Sequence, residues 1–158
     1  MTGTGRLADE AWESLFRAQV VLGREFAAQD TWDEIPRGDY DILYTLAKAP
    51  EGLRMTEINR QVMLTQPGIS RLVTRLEQQG LVERQPDPDD ARAQRVRLTE
   101  VGRELQRRVG RRHVRHVIRA MTRALDPDQL RQLRELCTAL TAAAEAASPA
   151  TEKGHHTS

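Results

Sequence analysis

A mainly α-helical chain carrying one short β-hairpin is what the 158 residues predict. Three observations lead there. Phe, Trp and Tyr together make up only 4% of the chain, so its core rests on Leu, Val, Ile, Ala and Met, a mixture that suits helices better than a large sheet. Apolar residues recur at three- and four-residue spacing in six separate segments, as on amphipathic helices. Two short stretches read instead as strands, with turn-forming residues between them.

The elements follow in order. Residues 1–7 read as a loose tail. From Ala8 to about Ala28, Trp12, Leu15, Phe16, Val20 and Phe26 mark a first helix. Residues 30–39 read as a loop with Pro36 and Gly38, and a second helix runs from Tyr40 to Lys48 with Ile42, Leu43 and Leu46 inward. Ala49-Pro50-Glu51-Gly52 breaks it. Thr56 is the expected cap of a short third helix through Val62. Thr65 caps a fourth, with Pro67 in the first turn, where its missing N–H does least harm. That helix carries Ile69, Leu72, Val73 and Leu76 on one face and stops at Gly80.

Leu81 to Gln85 and Arg95 to Leu98 are the two strands, and Pro86 to Arg92 forms a polar tip between them. Thr99 caps a fifth helix reaching Arg123, with Val101, Leu105, Val109, Val117 and Met121 on its apolar stripe. Asp126-Pro127-Asp128-Gln129 places an N-cap, a proline at N1 and a glutamine at N3 ahead of a sixth helix. Leu130, Leu133, Leu136, Cys137 and Leu140 share one face of it, and 148–158 is a polar tail. Six helices with a hairpin after the fourth make a mainly α, α+β winged helix-turn-helix.

Composition narrows the function classes. Hydrophobic residues at 39% and charged residues at 30% are ordinary for a globular protein, and no apolar run approaches the roughly 20 residues of a membrane span. No secretion signal opens the chain, and Cys137 has no partner for an internal disulfide, so a cytoplasmic protein is expected. The net charge of +1 hides an asymmetry: residues 1–50 hold five basic and nine acidic side chains, whereas 100–123 hold eight arginines and two glutamates. A basic block fits docking on a polyanion, although arginine preference is equally the mark of a GC-rich genome.

The fourth helix carries the chemistry. With Ile69, Leu72, Val73 and Leu76 held inward, the opposite face offers Ser70, Arg71, Thr74, Arg75 and Gln78, with Gln66 at the entering end and no acid before Glu77. Arginine bidentate to guanine and glutamine to adenine are the usual major-groove pairings. On the tip, Asp90 is a carboxylate neighbour for Arg92, and arginine suits narrow A·T-rich minor grooves. A solvated helix with chance arginines is the rival reading of the helix alone; the adjoining wing weighs against it.

Gly80-Leu81-Val82-Glu83-Arg84, Asp87, Asp90-Ala91-Arg92, Val96-Arg97-Leu98-Thr99 and Gly102 resemble the signature of the multiple-antibiotic-resistance regulator (MarR) family, with Ile69 to Val73 and Leu76-Glu77 similar to its recognition helix. The resemblance spans residues 8–147. It implies a homodimer built through 8–36 and 99–147, with 37–98 as the DNA-binding lobe. It implies binding to a near-palindromic site in double-stranded DNA, a role as repressor, and Asp90 bracing the hairpin while Arg92 approaches the minor groove. Asn59, where alanine is common, and Gly68, where a bulkier residue is common, depart from the pattern; Gly68 is expected to loosen the helix start.

Relatives commonly bind small aromatic or phenolic anions, for which Trp12, Phe16, Tyr40, Arg112 and His113, with Arg108, are the candidates. Trp12 and Phe16 read as well as plain dimer-core residues. His113 and His116 form an i,i+3 pair without further ligands nearby, so no metal is expected. Cys137 among leucines reads as an inert buried thiol. No phosphate loop, dinucleotide fingerprint or nucleophile elbow occurs, so neither enzyme activity nor a cofactor is expected. A module that keeps the fold without binding DNA is the alternative. It would carry acids or apolar residues on the outer face of 66–79, where this chain has arginines.

Overall fold

A computed structural model describes residues 3–63 and 68–147. Thr65, Gln66, Pro67 and the C-terminal stretch 148–158 lie outside the described residues. The helix α1 spans Gly3–Ala27, so residues 3–7, expected as part of a loose tail, are helical. No proline interrupts this stretch, and Arg6 pairs with Glu10 one turn on, at 3.6 Å, which supports the early turns.

A 3₁₀ turn at Asp30–Trp32 leads to α2, Arg37–Ala47, which starts three residues before the expected Tyr40. Pro36 sets that start: it occupies the N-cap with extended backbone, and its carbonyl accepts the Tyr40 N–H at 3.0 Å. The helix α3 is Met55–Gln61. Its N-cap is Arg54 and not Thr56, which lies inside the helix; the Glu57 carboxylate closes this end by accepting the Arg54 N–H at 2.7 Å.

The helix α4, Ile69–Gln78, begins on Gly68 at φ +75°, a left-handed conformation that a side chain would disfavour. The expectation that Gly68 loosens the start is corrected by this geometry: its carbonyl accepts the N–H groups of Arg71 at 2.9 Å and Leu72 at 3.1 Å. The helix ends in a Schellman motif, with Gly80 N–H on the Glu77 carbonyl and Leu81 N–H on that of Leu76, both at 2.9 Å.

The strands β1, Val82–Asp87, and β2, Asp90–Leu98, are longer than expected and pair antiparallel from Val82↔Leu98 to Pro86↔Gln94. A register shift follows, because Asp87 pairs with Asp90 and leaves 91–93 without partners on β1. Leu53 adds an isolated bridge to Val96, tying the loop before α3 to the hairpin.

Thr99 caps α5, Glu100–Thr122, as expected. Its Oγ1 accepts the Gly102 N–H at 3.0 Å and donates to the Gly80 carbonyl at 2.6 Å, locking the end of the α4 motif to the start of α5. The approach is so close that a Cβ on Gly102 would lie 1.9 Å from the Leu81 carbonyl oxygen. Before α6, Pro127–Ala147, the capping box is reciprocal: Asp126 Oδ1 accepts from Gln129 N–H and Gln129 Oε1 from Asp126 N–H, both at 2.9 Å.

Two compact units divide between Val117 and Ile118. In the first, Ile42, Leu43 and Leu46 of α2, Ile58 of α3, Val73 and Leu76 of α4, Val82 and Val96 of the hairpin and Val109 of α5 are almost wholly buried in one cluster. Their inward faces follow the expected periodicity, except that Val101 is exposed and off the stripe. Val101 sits in the first turn, one position from the Gly102 contact, and so points away from it. In the second unit, Leu130, Leu133 and Cys137 are half-buried on α6, whereas Leu136 and Leu140 are exposed, which corrects the single inward stripe expected there.

Candidate nucleic-acid interface

The outer face of α4 is built by its inner one. With Ile69, Val73 and Leu76 in the core, the 3.6-residue repeat turns Ser70, Arg71, Thr74, Arg75 and Gln78 to the exterior, and all five are exposed. Of the predicted groove-facing set, Gln66 alone lies outside the described residues. The others differ in what holds them.

Arg71 is exposed, and its guanidinium has no ion pair among the described residues. Arg75 is committed elsewhere: it forms an ion pair with Asp39 of α2, whose side chain is 3% exposed. This bond staples α4 across α2 and neutralises a carboxylate that would be costly to leave buried and alone. Thr74 donates its hydroxyl to the Ser70 carbonyl at 3.0 Å, so it is backed onto its own helix. Arg84 of β1, absent from the predicted set, reaches the same face, with Nε 3.0 Å from Glu77 and Nη2 3.4 Å from the Thr74 hydroxyl. The acid that ends the helix face is thereby paired. Its signal in the sequence was the nearby Glu77, seven positions earlier; nothing local marked Asp39, 36 positions from Arg75.

At the wing, Asp90 and Arg92 come together differently from the expected side-chain pair. Asp90 Oδ1 accepts the backbone N–H of Arg92 at 3.0 Å, bracing the bulge, while the exposed Arg92 guanidinium has no ion pair among the described residues. Glu83 and Arg97, opposite each other in register, pair at 2.6 Å and stiffen the hairpin above its root. Asp87, fully buried, binds Arg54 Nε at 2.6 Å and Arg95 Nε at 2.9 Å. The Arg54 hydrogen bond is the main cause that holds its carboxyl far below the usual carboxylate range.

The predicted effector residues fall in two places. Trp12 and Phe16 stack on each other, 6.1 Å apart, and remain 63% and 53% exposed. Ten positions further along α1, about 15 Å at helical rise, Phe26 joins another group. Phe26, Trp32 and Tyr40 surround the His113 ring at 5.5, 5.1 and 6.3 Å. Tyr40 and His113 are therefore together, and no ring contact among the described residues joins them to Trp12 or Phe16. Burial is the first cause that lowers the His113 pKa, followed by the Arg37 and His116 charges. Arg112 and Arg108 both bind Glu34, the latter at 2.8 Å, and the Arg108 hydrogen bond leads in holding that carboxyl below its ordinary value.

Comparison with known proteins fits this architecture. The model of the MarR family matches residues 34–93. The crystal structure of Sco3205, a MarR family transcriptional regulator from Streptomyces coelicolor in complex with DNA, superposes with a TM-score of 0.70 at 30% identity, covering 95% of this chain and 91% of that one. AbsC, a MarR family transcriptional regulator from the same organism, gives 0.69 at 28% identity over 92% and 95%. PcaV, also from Streptomyces coelicolor and in complex with its natural ligand, gives 0.60 at 28% over 90% and 94%. No curated protein sequence matches the chain, and no helix among the described residues is long and apolar enough to cross a membrane. The identity to Sco3205 over nearly the whole of both chains, with the family match on the winged segment, settles the assignment: the chain belongs to the MarR family of winged helix-turn-helix transcriptional regulators and is a DNA-binding protein, not an enzyme.

Proposed function

We propose that this regulator is a homodimeric cytoplasmic repressor that reads a near-palindromic operator in double-stranded DNA. The observation that carries the reading is the division of charge on the winged lobe. Asp39, Glu77 and Asp87, near the two candidate contact surfaces, are paired with arginines, and Asp90 accepts a backbone N–H, whereas Arg71 on α4 and Arg92 on the wing are exposed and without an ion pair among the described residues. Arg71 then meets base edges in the major groove and Arg92 the adjacent minor groove, with Ser70, Thr74 and Gln66 contributing polar contacts. Arg75, held by Asp39, sets the pitch of α4 and presents its remaining N–H groups to phosphate.

The segments 8–36 and 99–147 serve as the dimerisation region in this reading. Leu7, Trp12, Phe16 and Val21 of α1, Val114 and Ile118 of α5, and Leu136 and Leu140 of α6 are exposed apolar residues in need of cover. A two-fold dimer then holds two winged lobes on half-sites about 34–36 Å apart, or a multiple of that spacing.

A small aromatic or phenolic anion is the proposed inducer. Support comes from the ring cluster of Tyr40, His113, Trp32 and Phe26, and from His113 Nδ1 and Arg112 Nε, which are buried without a hydrogen-bond partner among the described residues. PcaV, a ligand-bound relative, adds a precedent within the family. Trp12 and Phe16 belong to the dimer face in this account.

Footprinting the protein on the DNA upstream of its own coding sequence tests the reading. A protected near-palindrome is expected, released by millimolar benzoate or phenol. Failure to protect any specific site at moderate salt overturns the operator; protection untouched by either probe overturns the proposed inducer class.

A further inference from the structure

An arginine on a hairpin tip is only as well aimed as the hairpin. In this wing the tip is irregular: 91–93 have no partners on β1, so ladder pairing does not fix Arg92. Asp90 holds only the Arg92 backbone N–H, and a buried carboxylate stands where the regular ladder stops. Asp87, with its side chain fully buried, accepts Arg54 Nε at 2.6 Å, Arg95 Nε at 2.9 Å and the Asp89 backbone N–H at 2.8 Å. Arg95 Nη2 lies 3.6 Å from the Asp89 carboxylate as well, which ties the two sides of the tip together.

The origin of Arg54 is the informative part. It occupies the N-cap of α3, a position ordinarily given to Ser, Thr, Asp or Asn because their side-chain oxygens accept the free N–H groups of the first turn. Arg54 makes no such bond; its guanidinium reaches 33 positions along the chain to the wing instead. Charge-assisted bonds to a buried carboxylate are short and directional, and breaking one leaves a charge without its partner in a dry site. The same Asp87 thus gathers the start of α3, the end of β1 and the body of β2.

We propose that Asp87 is a positioning residue for DNA recognition: through Arg54 and Arg95 it presets the angle of the wing, so that Arg92 meets the minor groove in register with α4. The inference rests on the reading that Arg92 contacts DNA. Without the clamp the wing still forms, because the Glu83–Arg97 pair and the buried Val82, Val96 and Leu98 hold its root. Its tip then searches for the groove, and the binding free energy of Arg92 is spent on ordering it.

A double-mutant cycle tests the proposal on the operator fragment that footprinting defines. Asp87→Asn is close to isosteric and removes the charge. It should weaken binding about tenfold and erase hydroxyl-radical protection under the wing while leaving protection under α4. In an Arg92→Ala background the same substitution should cost less than about twofold, since nothing remains to be aimed. If Asp87→Asn fails to fold, Arg54→Met, which keeps the Arg95 bond, takes its place in the cycle with the same expectations. An equal loss in both backgrounds, or protection lost evenly across the site, assigns Asp87 to general stability and overturns the proposal alone. Arg92→Ala with unchanged affinity and footprint overturns the reading of Arg92, and the proposal with it.

Discussion

The winged lobe and the helical arms handle their apolar residues in opposite ways. From α2 to β2 the large hydrophobics are inside apart from Met63, with Ile42, Leu43, Ile58, Val73, Leu76 and Val96 at or near zero exposure. The arms invert this: neither α1 nor α6 contains a buried residue, and Trp12, Phe16, Leu136 and Leu140 each lie more than half exposed. The lobe thus carries its own core, whereas the arms leave large apolar residues uncovered. A second copy is the proposed cover. Specificity then has two sources, the side chains of the lobe and the distance the arms impose between two lobes.

The largest expected effect breaks the lobe. Leu43→Ala deletes a fully buried side chain and should cost about 2–5 kcal/mol of stability in urea unfolding, which for a marginally stable domain abolishes DNA binding. An unfolding midpoint that does not move would mean that α2 lacks the central place given to it. The contrasting experiment strikes an arm. Trp12→Ala should weaken dimerisation in sedimentation by about 30-fold or more, as the loss of a large aromatic anchor does, with the helical circular dichroism of the chain kept. A dimer of unchanged affinity would remove α1 from the interface.

A smaller effect attaches to the capping box of α6. Asp126→Ala should lower stability by about 1 kcal/mol, measured as a shift in the unfolding midpoint, because it leaves the Gln129 N–H without its acceptor.

The mildest test is a pH profile. Burial leads in lowering the His113 pKa, so the folded state favours the neutral ring. The corresponding stability is present above the ordinary value of 6.5 and is lost as pH falls through the lowered one. His113→Phe should flatten the thermal-unfolding profile over that acidic range, and an unchanged slope would place the titration elsewhere.

Much of this was legible in the sequence because it is local. The faces of α4, the Thr99 cap, the Asp126–Gln129 box and the Gly80 stop each depend on residues within one or two turns, and periodicity or capping chemistry reports them directly. The hairpin was legible in the same way, from its two short strands and the turn-formers between them. What escaped depends on residues far apart. Arg75 pairs with Asp39 across 36 positions, and Arg54 with Asp87 across 33, so a helix arginine read as groove-facing is partly a staple, and a cap position hides a wing contact. Val101 misled for a related reason: the stripe of α5 is set by the close approach of Gly102 to Leu81, which periodicity alone does not reveal. The split of the effector candidates follows from the length of α1, which separates Phe16 from Phe26 although both lie on one amphipathic helix.

In the proposed dimer, two lobes held at fixed spacing read two half-sites at once. Inserting about five base pairs between the half-sites of the protected operator turns one of them to the opposite side of the duplex without changing a contacted base. The intact dimer should fall to its non-specific affinity on that DNA, and should recover when about ten base pairs are inserted only where the arms span the added length. Unchanged affinity after the five-base-pair insertion would contradict it, and would mean that each lobe reads its half-site alone.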